Sequence, residues 1–181
     1  MAKKLFLILL VMMIMTTPAA AQGKKILYVP IDDRPCNLSQ VKQVAEKLGY
    51  ELLTPPEGII GTRGFNGDAE AMWTWAEENA PQASFAVMST DALIYGSLVG
   101  SRLHNLDETT ILERAQRFKT FHEKFLWLPI YALGTVMSTP RSGSDSSIEA
   151  EYYQAYGAKF FNYSAMLDKQ EMGLLTGGAK R

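Results

Sequence analysis

The chain has 181 residues, is 47% apolar and carries a formal net charge of −1. That is the length of one ordinary domain with enough apolar residues to bury a core. The near-neutral charge gives no electrostatic footprint for a nucleic-acid partner, and nothing resembles a disordered tail or a collagen-like repeat.

Residues 1–21 read as a targeting segment. Lys3 and Lys4 precede an unbroken apolar run over 5–15, too short for a comfortable membrane span. Thr16, Thr17 and Pro18 break it, and Ala19, Ala20 and Ala21 supply the small residues of a secretory cleavage site. Cleavage after Ala21 leaves 160 residues with no membrane segment, and loss of the two lysines takes the formal charge from −1 to −3. The destination is outside the cytoplasm, secreted or in the cell envelope. Cys36 is the single cysteine, so no internal disulfide forms, and it is expected to be a buried, inert thiol.

The alternation begins at 26–37. Ile26, Leu27, Tyr28, Val29 and Ile31 suit a buried strand, which turns polar at Asp32, Asp33 and Arg34. Pro35 biases Arg34 away from helix, so the chain turns there. Asn37 is expected to cap a helix with Gln40 as its capping-box partner. Leu38, Val41, Val44, Ala45 and Leu48 form the buried stripe, and Gly49 ends the helix. A short strand over 50–54 stops at Pro55 and Pro56, with Glu57 beyond it.

A loop over 58–67 holds Gly58, Gly61, Gly64 and Gly67. It lacks the Walker Gly-Lys-Ser/Thr and the dinucleotide spacing, so no cofactor is expected, although Arg63 could reach a ligand. A helix over 68–79 places Trp73 and Trp75 on different sides, one more buried than the other. The third strand, 84–89, ends in Ser89, Thr90 and Asp91. A glycine-containing apolar stretch, 92–100, leads to Arg102 and His104. Asp107 caps a helix from 108 to about 125, with Ile111, Leu112, Ala115, Phe118, Phe121 and Phe125 as its buried face and His122 bordering it. A fourth strand is expected over 128–136, followed by Ser138 and Arg141, a polar loop over 142–147 and a last helix from about 148.

This β-α-β-α-β-α-β-α order predicts an α/β fold with a parallel sheet, either an incomplete (β/α) barrel or a doubly wound domain occupying 24–181. Every strand has polar residues at its carboxyl end, where ligands bind in such sheets. The expected rim therefore joins Asp33 and Asp91 as catalytic carboxylates to Asp32, Arg34, Glu57, Ser89, Tyr95, Arg102 and Arg141 as binding residues, with no metal ligand among them.

Two stretches carry a resemblance: Tyr-Val-Pro-Ile-Asp-Asp-Arg-Pro-Cys-Asn over 28–37, and Ser-Thr-Asp-Ala-Leu-Ile-Tyr-Gly-Ser-Leu-Val-Gly-Ser-Arg over 89–102. Here the chain resembles the secreted bacterial domain-of-unknown-function family 4127. The resemblance implies the N-terminal portion of a longer α/β domain whose further acidic motifs lie downstream. It supplies no catalytic assignment.

Three functions fit these residues. The first is an extracellular hydrolase of carbohydrate, using Asp33 or Asp91 as one of the two carboxyl groups glycoside cleavage requires. The second is a metal-dependent hydrolase built from Asp32, Asp33, Asp91 and His104, whose spacing matches no zinc motif. The third is a non-catalytic envelope protein holding a glycan or polyol. Ser97 is a poor nucleophile candidate, since the preceding glycine is misplaced for a nucleophile elbow. The expected partner is a small molecule or glycan, with self-association where open sheet edges remain. N-terminal sequencing of exported material is expected to begin at Gln22; a mature chain still beginning at Met1 would refute export by cleavage.

Overall fold

The computed structural model describes residues 24–136 and 149–174. Its strands are β1 (Lys25–Val29), β2 (Glu51–Leu53), β3 (Phe85–Ser89) and β4 (Ile130–Leu133). They form one sheet in the order β2-β1-β3-β4, and every neighbouring pair is parallel. The helices are α1 (Ser39–Lys47), α2 (Ala69–Asn79), α3 (Thr90–Tyr95), α4 (Glu108–Lys124) and α5 (Glu151–Glu171). The alternating α/β organisation is as the sequence predicts. The segments 1–23, 137–148 and 175–181 lie outside the described residues, and with them the targeting segment, Ser138, Arg141 and the polar loop.

Strand order separates the two architectures that alternation allows. In a (β/α) barrel, consecutive strands lie side by side. Here β1 sits between β2 and β3, so the chain winds one way from β1 to β2, then crosses back. That is the doubly wound order, with its switch point between β1 and β3.

One face of the sheet holds the core. Leu27 and Val29 of β1 and Ala86 and Met88 of β3 point to the side covered by α2, α3 and α4. Met72, Trp73 and Ala76 come down from α2, and Phe121, Phe125 and Leu128 from α4 and its C-terminal turn. Trp73 is fully buried, and its indole Nε1 donates to the Leu93 carbonyl at 3.1 Å, satisfying its one polar atom. Phe118 meets its ring edge-on at 4.8 Å. Trp75 is only half-buried, so the two tryptophans occupy the different environments that their spacing predicts.

The opposite face is covered less. Tyr28, Val87 and Tyr131 line up across β1, β3 and β4 on that side. Tyr131 is 59% exposed. α1 packs on β2, a three-residue edge strand, and buries only Ala45. Val44 and Leu48, expected to be covered, are exposed because α1 outruns the short strand beneath it. Leu112 on α4 is exposed as well.

Local signals fare unevenly. Asp68 and Asp107 cap α2 and α4, accepting from Ala71 N and Thr110 N. Asn37 does not cap α1: Leu38 stands at the cap without a side-chain bond, and the Asn37 amide is turned toward Asp32. α3, unforeseen as a helix, starts directly from β3, with the Ser89 hydroxyl accepting from Ala92 N. β4 is four residues long, shorter than the apolar run around it.

Two loops meet backbone to backbone beyond the strand ends. Gly96 ends α3 at φ +92°, a conformation that costs a residue with a Cβ. Its carbonyl accepts from Gly67 N at 3.1 Å. A Cβ built on Gly61 would stand 2.4 Å from the Gly96 oxygen and 2.5 Å from Ser97 Cβ. By contrast, a Cβ on Gly64 meets nothing within 4 Å. Gly61→Ala is therefore expected to cost at least about 2 kcal/mol of stability, whereas Gly64→Ala is expected to change it by less than about 0.5 kcal/mol. Thermal or urea melts of both variants test this, and equal melting points would show that the loops do not depend on the close approach.

Candidate functional site

The site begins where β1 ends. Pro30 and Ile31 carry the chain past the last paired residue, and the side chains of Asp32 and Asp33 then part company. The chain bends over 31–34, and only one of the two acids turns inward. Asp32 does so and is 3% exposed, while Asp33 lies exposed. The Asp33 amide donates to the Gly61 carbonyl at 3.0 Å, which ties the β1 loop to the glycine loop.

Buried carboxylates need partners. Arg34 Nε donates to Asp32 Oδ1 at 3.0 Å and to Oδ2 at 2.9 Å, and Arg34 Nη2 lies 2.8 Å from Oδ2. The Arg34 backbone N donates to Oδ1 at 3.2 Å, and Asn37 Nδ2 donates to the same oxygen at 2.5 Å. Burial by itself would raise the Asp32 pKa, but the hydrogen bonds from Arg34 and Asn37 and the Arg34 charge outweigh it, so the carboxyl titrates below its ordinary range. Asp32 in turn holds Arg34 above the usual guanidinium value. The Tyr28 hydroxyl donates to the Asn37 carbonyl at 2.6 Å and closes the turn from beneath. Burial, and next the Asp32 charge, push the Tyr28 phenol up.

Asp32 and Arg34 line a cavity of about 190 Å³ with Arg63, Leu98, Val99 and Arg102. These residues come from the loops that follow β1, β2 and β3, so the cavity stands over the carboxyl side of the sheet at its switch point. Arg102 is mostly buried; its Nη1 donates to Glu149 Oε1 at 3.0 Å, which pins the segment entering α5 to this rim. Arg102 Nε is buried with no hydrogen-bond partner among the described residues. A larger depression of about 390 Å³ between α2 and α4 is lined by Thr74, Glu77, Glu78, Arg117 and Lys124. Its charges pair with neighbouring helix residues, Lys124 with Glu77 and Arg117 with Glu70, and it lies on the outer helices away from the strand ends.

The structure thus brings three of the expected site residues, Asp32, Arg34 and Arg102, to one cavity, together with Arg63. Asp33 and Asp91 do not line it. Asp91 is buried and accepts from Thr135 N at 3.0 Å and Thr135 Oγ1 at 2.7 Å, fastening the loop after β4 to the end of β3. Ser89 is the buried cap of α3. Glu57 is exposed at a 3-10 turn. Tyr95 stacks against His104, with ring centroids 4.8 Å apart. Arg141 lies outside the described residues. Cys36 is exposed rather than buried, because the chain has already left the core at Asp32. Among the described residues, no group of three or more His, Cys, Asp and Glu side chains is placed to hold a metal ion, so Asp32, Asp33, Asp91 and His104 are not gathered into one.

Three contributors went unassigned in the sequence. Asn37 had a visible signal, an amide five residues after Asp32 across a Pro35 turn, but it also fits a helix cap. Leu98 and Val99 read only as part of an apolar run.

The family model described as "Protein of unknown function (DUF4127)" matches residues 26–180. The chain belongs to that family. No curated protein and no solved structure matches it.

The Asp32 cluster has a pH consequence. Its folded-state pKa is depressed below the unfolded value of about 3.9, so its contribution to stability is complete at neutral pH and disappears as pH falls through the folded value. Asp32→Asn is expected to melt lower than the parent at pH 7, with the gap shrinking as pH falls below about 4. A gap independent of pH would show that the cluster does not stabilise the fold through the ionised carboxylate.

Proposed function

We propose that this protein works outside the cytoplasm as a carbohydrate-binding protein, holding a single glycan residue or polyol at the carboxyl rim of its doubly wound sheet. The observation that carries this reading is the cavity at the β1/β3 switch point, where Asp32 and Arg34 are fixed against each other beside Leu98 and Val99. A pyranose ring presents hydroxyls at its edge and C–H groups on its faces. A rigid carboxylate–guanidinium pair next to two aliphatic side chains matches both. The volume falls below the roughly 300–1,000 Å³ of drug-sized pockets, which suits a ligand of one ring.

Calorimetric titration of the chain with monosaccharides and polyols tests the reading. Binding of at least one, weakened about tenfold or more by Arg34→Gln, is the expected result. No binding across such a panel would overturn it.

Hydrolysis of carbohydrate is the second reading. Asp33 and Asp91 follow β1 and β3, which are adjacent parallel strands, so both carboxylates belong to one edge of the sheet. Asp91 spends both oxygens on Thr135, so it would have to release them to act as an acid or base. If this reading holds, glycan cleavage by the protein is lost in Asp33→Asn and Asp91→Asn variants that melt as the parent does. Cleavage that survives both substitutions would remove these carboxylates from the chemistry.

A further inference from the structure

The two edges of the sheet are protected unequally. On one side β2 packs against α1, carries Glu51 in an ion pair with Lys25, and is soon followed by Pro55 and Pro56. Charges and prolines are what keep an edge strand from pairing with another chain. On the other side β4 reads Ile-Tyr-Ala-Leu and holds neither. No charged residue stands between Lys124 and Arg141. Pro129 precedes the strand, and its carbonyl is spent inward, accepting from Ala86 N at 2.8 Å. Backbone groups of alternate residues face opposite sides of a strand, so Ile130 and Ala132 turn their N–H and C=O groups to the open edge. Among the described residues, no strand lies beyond β4. Its side chains are open as well. Tyr131 and Leu133 within it, and Leu126, Trp127 and Val136 beside it, are all more than half exposed.

We infer that β4 is a self-pairing edge: two copies of the chain join through it, antiparallel about a two-fold axis, and the sheet runs on from one copy into the other. Ile130 of one copy exchanges both backbone hydrogen bonds with Ala132 of the other, in both directions, and the two Tyr131 side chains meet at the axis. A second copy suits this edge for three reasons. A two-fold pairing uses the same strand twice, so it satisfies the outward groups of both copies at once and closes at a dimer. The lack of charge matters because identical charges would otherwise face each other across the axis. The exposed side chains offer roughly 600 Å² per copy, so two copies reach the ~1,000 Å² that a specific interface needs. The edge at β2 offers no comparable surface, which fixes the side on which the copies meet.

Analytical ultracentrifugation of the chain across the micromolar range tests the inference, and a dimer is expected. Tyr131→Lys sets like charges at the axis. Ala132→Pro removes an outward N–H without touching a bond to β3. Each should raise the dimer dissociation constant about tenfold or more while the circular dichroism spectrum stays that of the parent. In a Cys36→Ser background, Tyr131→Cys should link two chains on mild oxidation, whereas Glu51→Cys on β2 should not. If either of the first two substitutions unfolds the chain, the Tyr131→Cys link decides alone. A parent that stays monomeric would leave this edge to a different chain and overturn the inference. A dimer that neither substitution weakens, a link through Glu51→Cys in place of Tyr131→Cys, or assemblies that grow beyond two copies would overturn it as well.

Discussion

The contact on which the rim depends is made of backbone. Gly61 and Gly67 approach Gly96 so closely that no side chain fits between them, and the Gly67 amide bonds the Gly96 carbonyl. This joins the loop after β2 to the loop after α3. The Asp33 amide adds the loop after β1 by bonding the Gly61 carbonyl. Asn66 and Ser97 extend the junction through their side chains, and Ser97 Oγ also accepts from Gly100 N at 2.8 Å. Three loops that would otherwise wander over the sheet edge are thereby held as one piece. The cavity inherits its shape from that junction. Its arginines come from three different loops, and their relative positions mean something only because those loops are fixed to one another.

Asp32 completes what the glycines begin. A carboxylate taken out of water at the end of a buried strand loses hydration, and here four hydrogen-bond or ionic contacts from Arg34 and one from Asn37 replace it. The turn across Pro35 is therefore determined by the charge it encloses. Tyr28 secures the far side of that turn from within β1. The same geometry explains why Arg34 faces the cavity in a single orientation: two of its nitrogens are already committed. A site that recognises a ligand by charge gains from such fixed groups, since little side-chain freedom is left to lose on binding.

Most of the architecture is written in hydrophobic pattern. β1 and β3 are continuous apolar runs because both faces of a central parallel strand are covered over most of their length. Asp68 and Asp107 mark helix starts because each carboxylate accepts from the backbone amide three residues on. Strand order is different. Alternation fixes that the sheet is parallel but not which strand lies beside which, and the barrel and doubly wound alternatives share one sequence pattern. Asn37 shows a second limit. An amide before a helix is a good cap, and it becomes something else only if a buried carboxylate five residues earlier draws it away. The pair Asp32–Asp33 shows a third. Both acids follow a strand, and the inward one is set by how the bend over 31–34 brings Arg34 and Asn37 onto Asp32, a choice of one position that composition does not encode.

That single-position question has a larger consequence for function. Had Asp33 turned inward, two carboxylates from adjacent strands, Asp33 and Asp91, would have shared the rim and favoured acid–base chemistry. With Asp32 inward and locked by Arg34, the carboxylate that lines the cavity is held ionised and committed to its own turn. Asp91 is meanwhile drawn to Thr135, where it fastens the β4 loop to β3. The acids of this rim are spent on shaping its loops, Asp32 on the turn across Pro35 and Asp91 on the loop after β4, an arrangement that suits holding a ligand better than cleaving a bond.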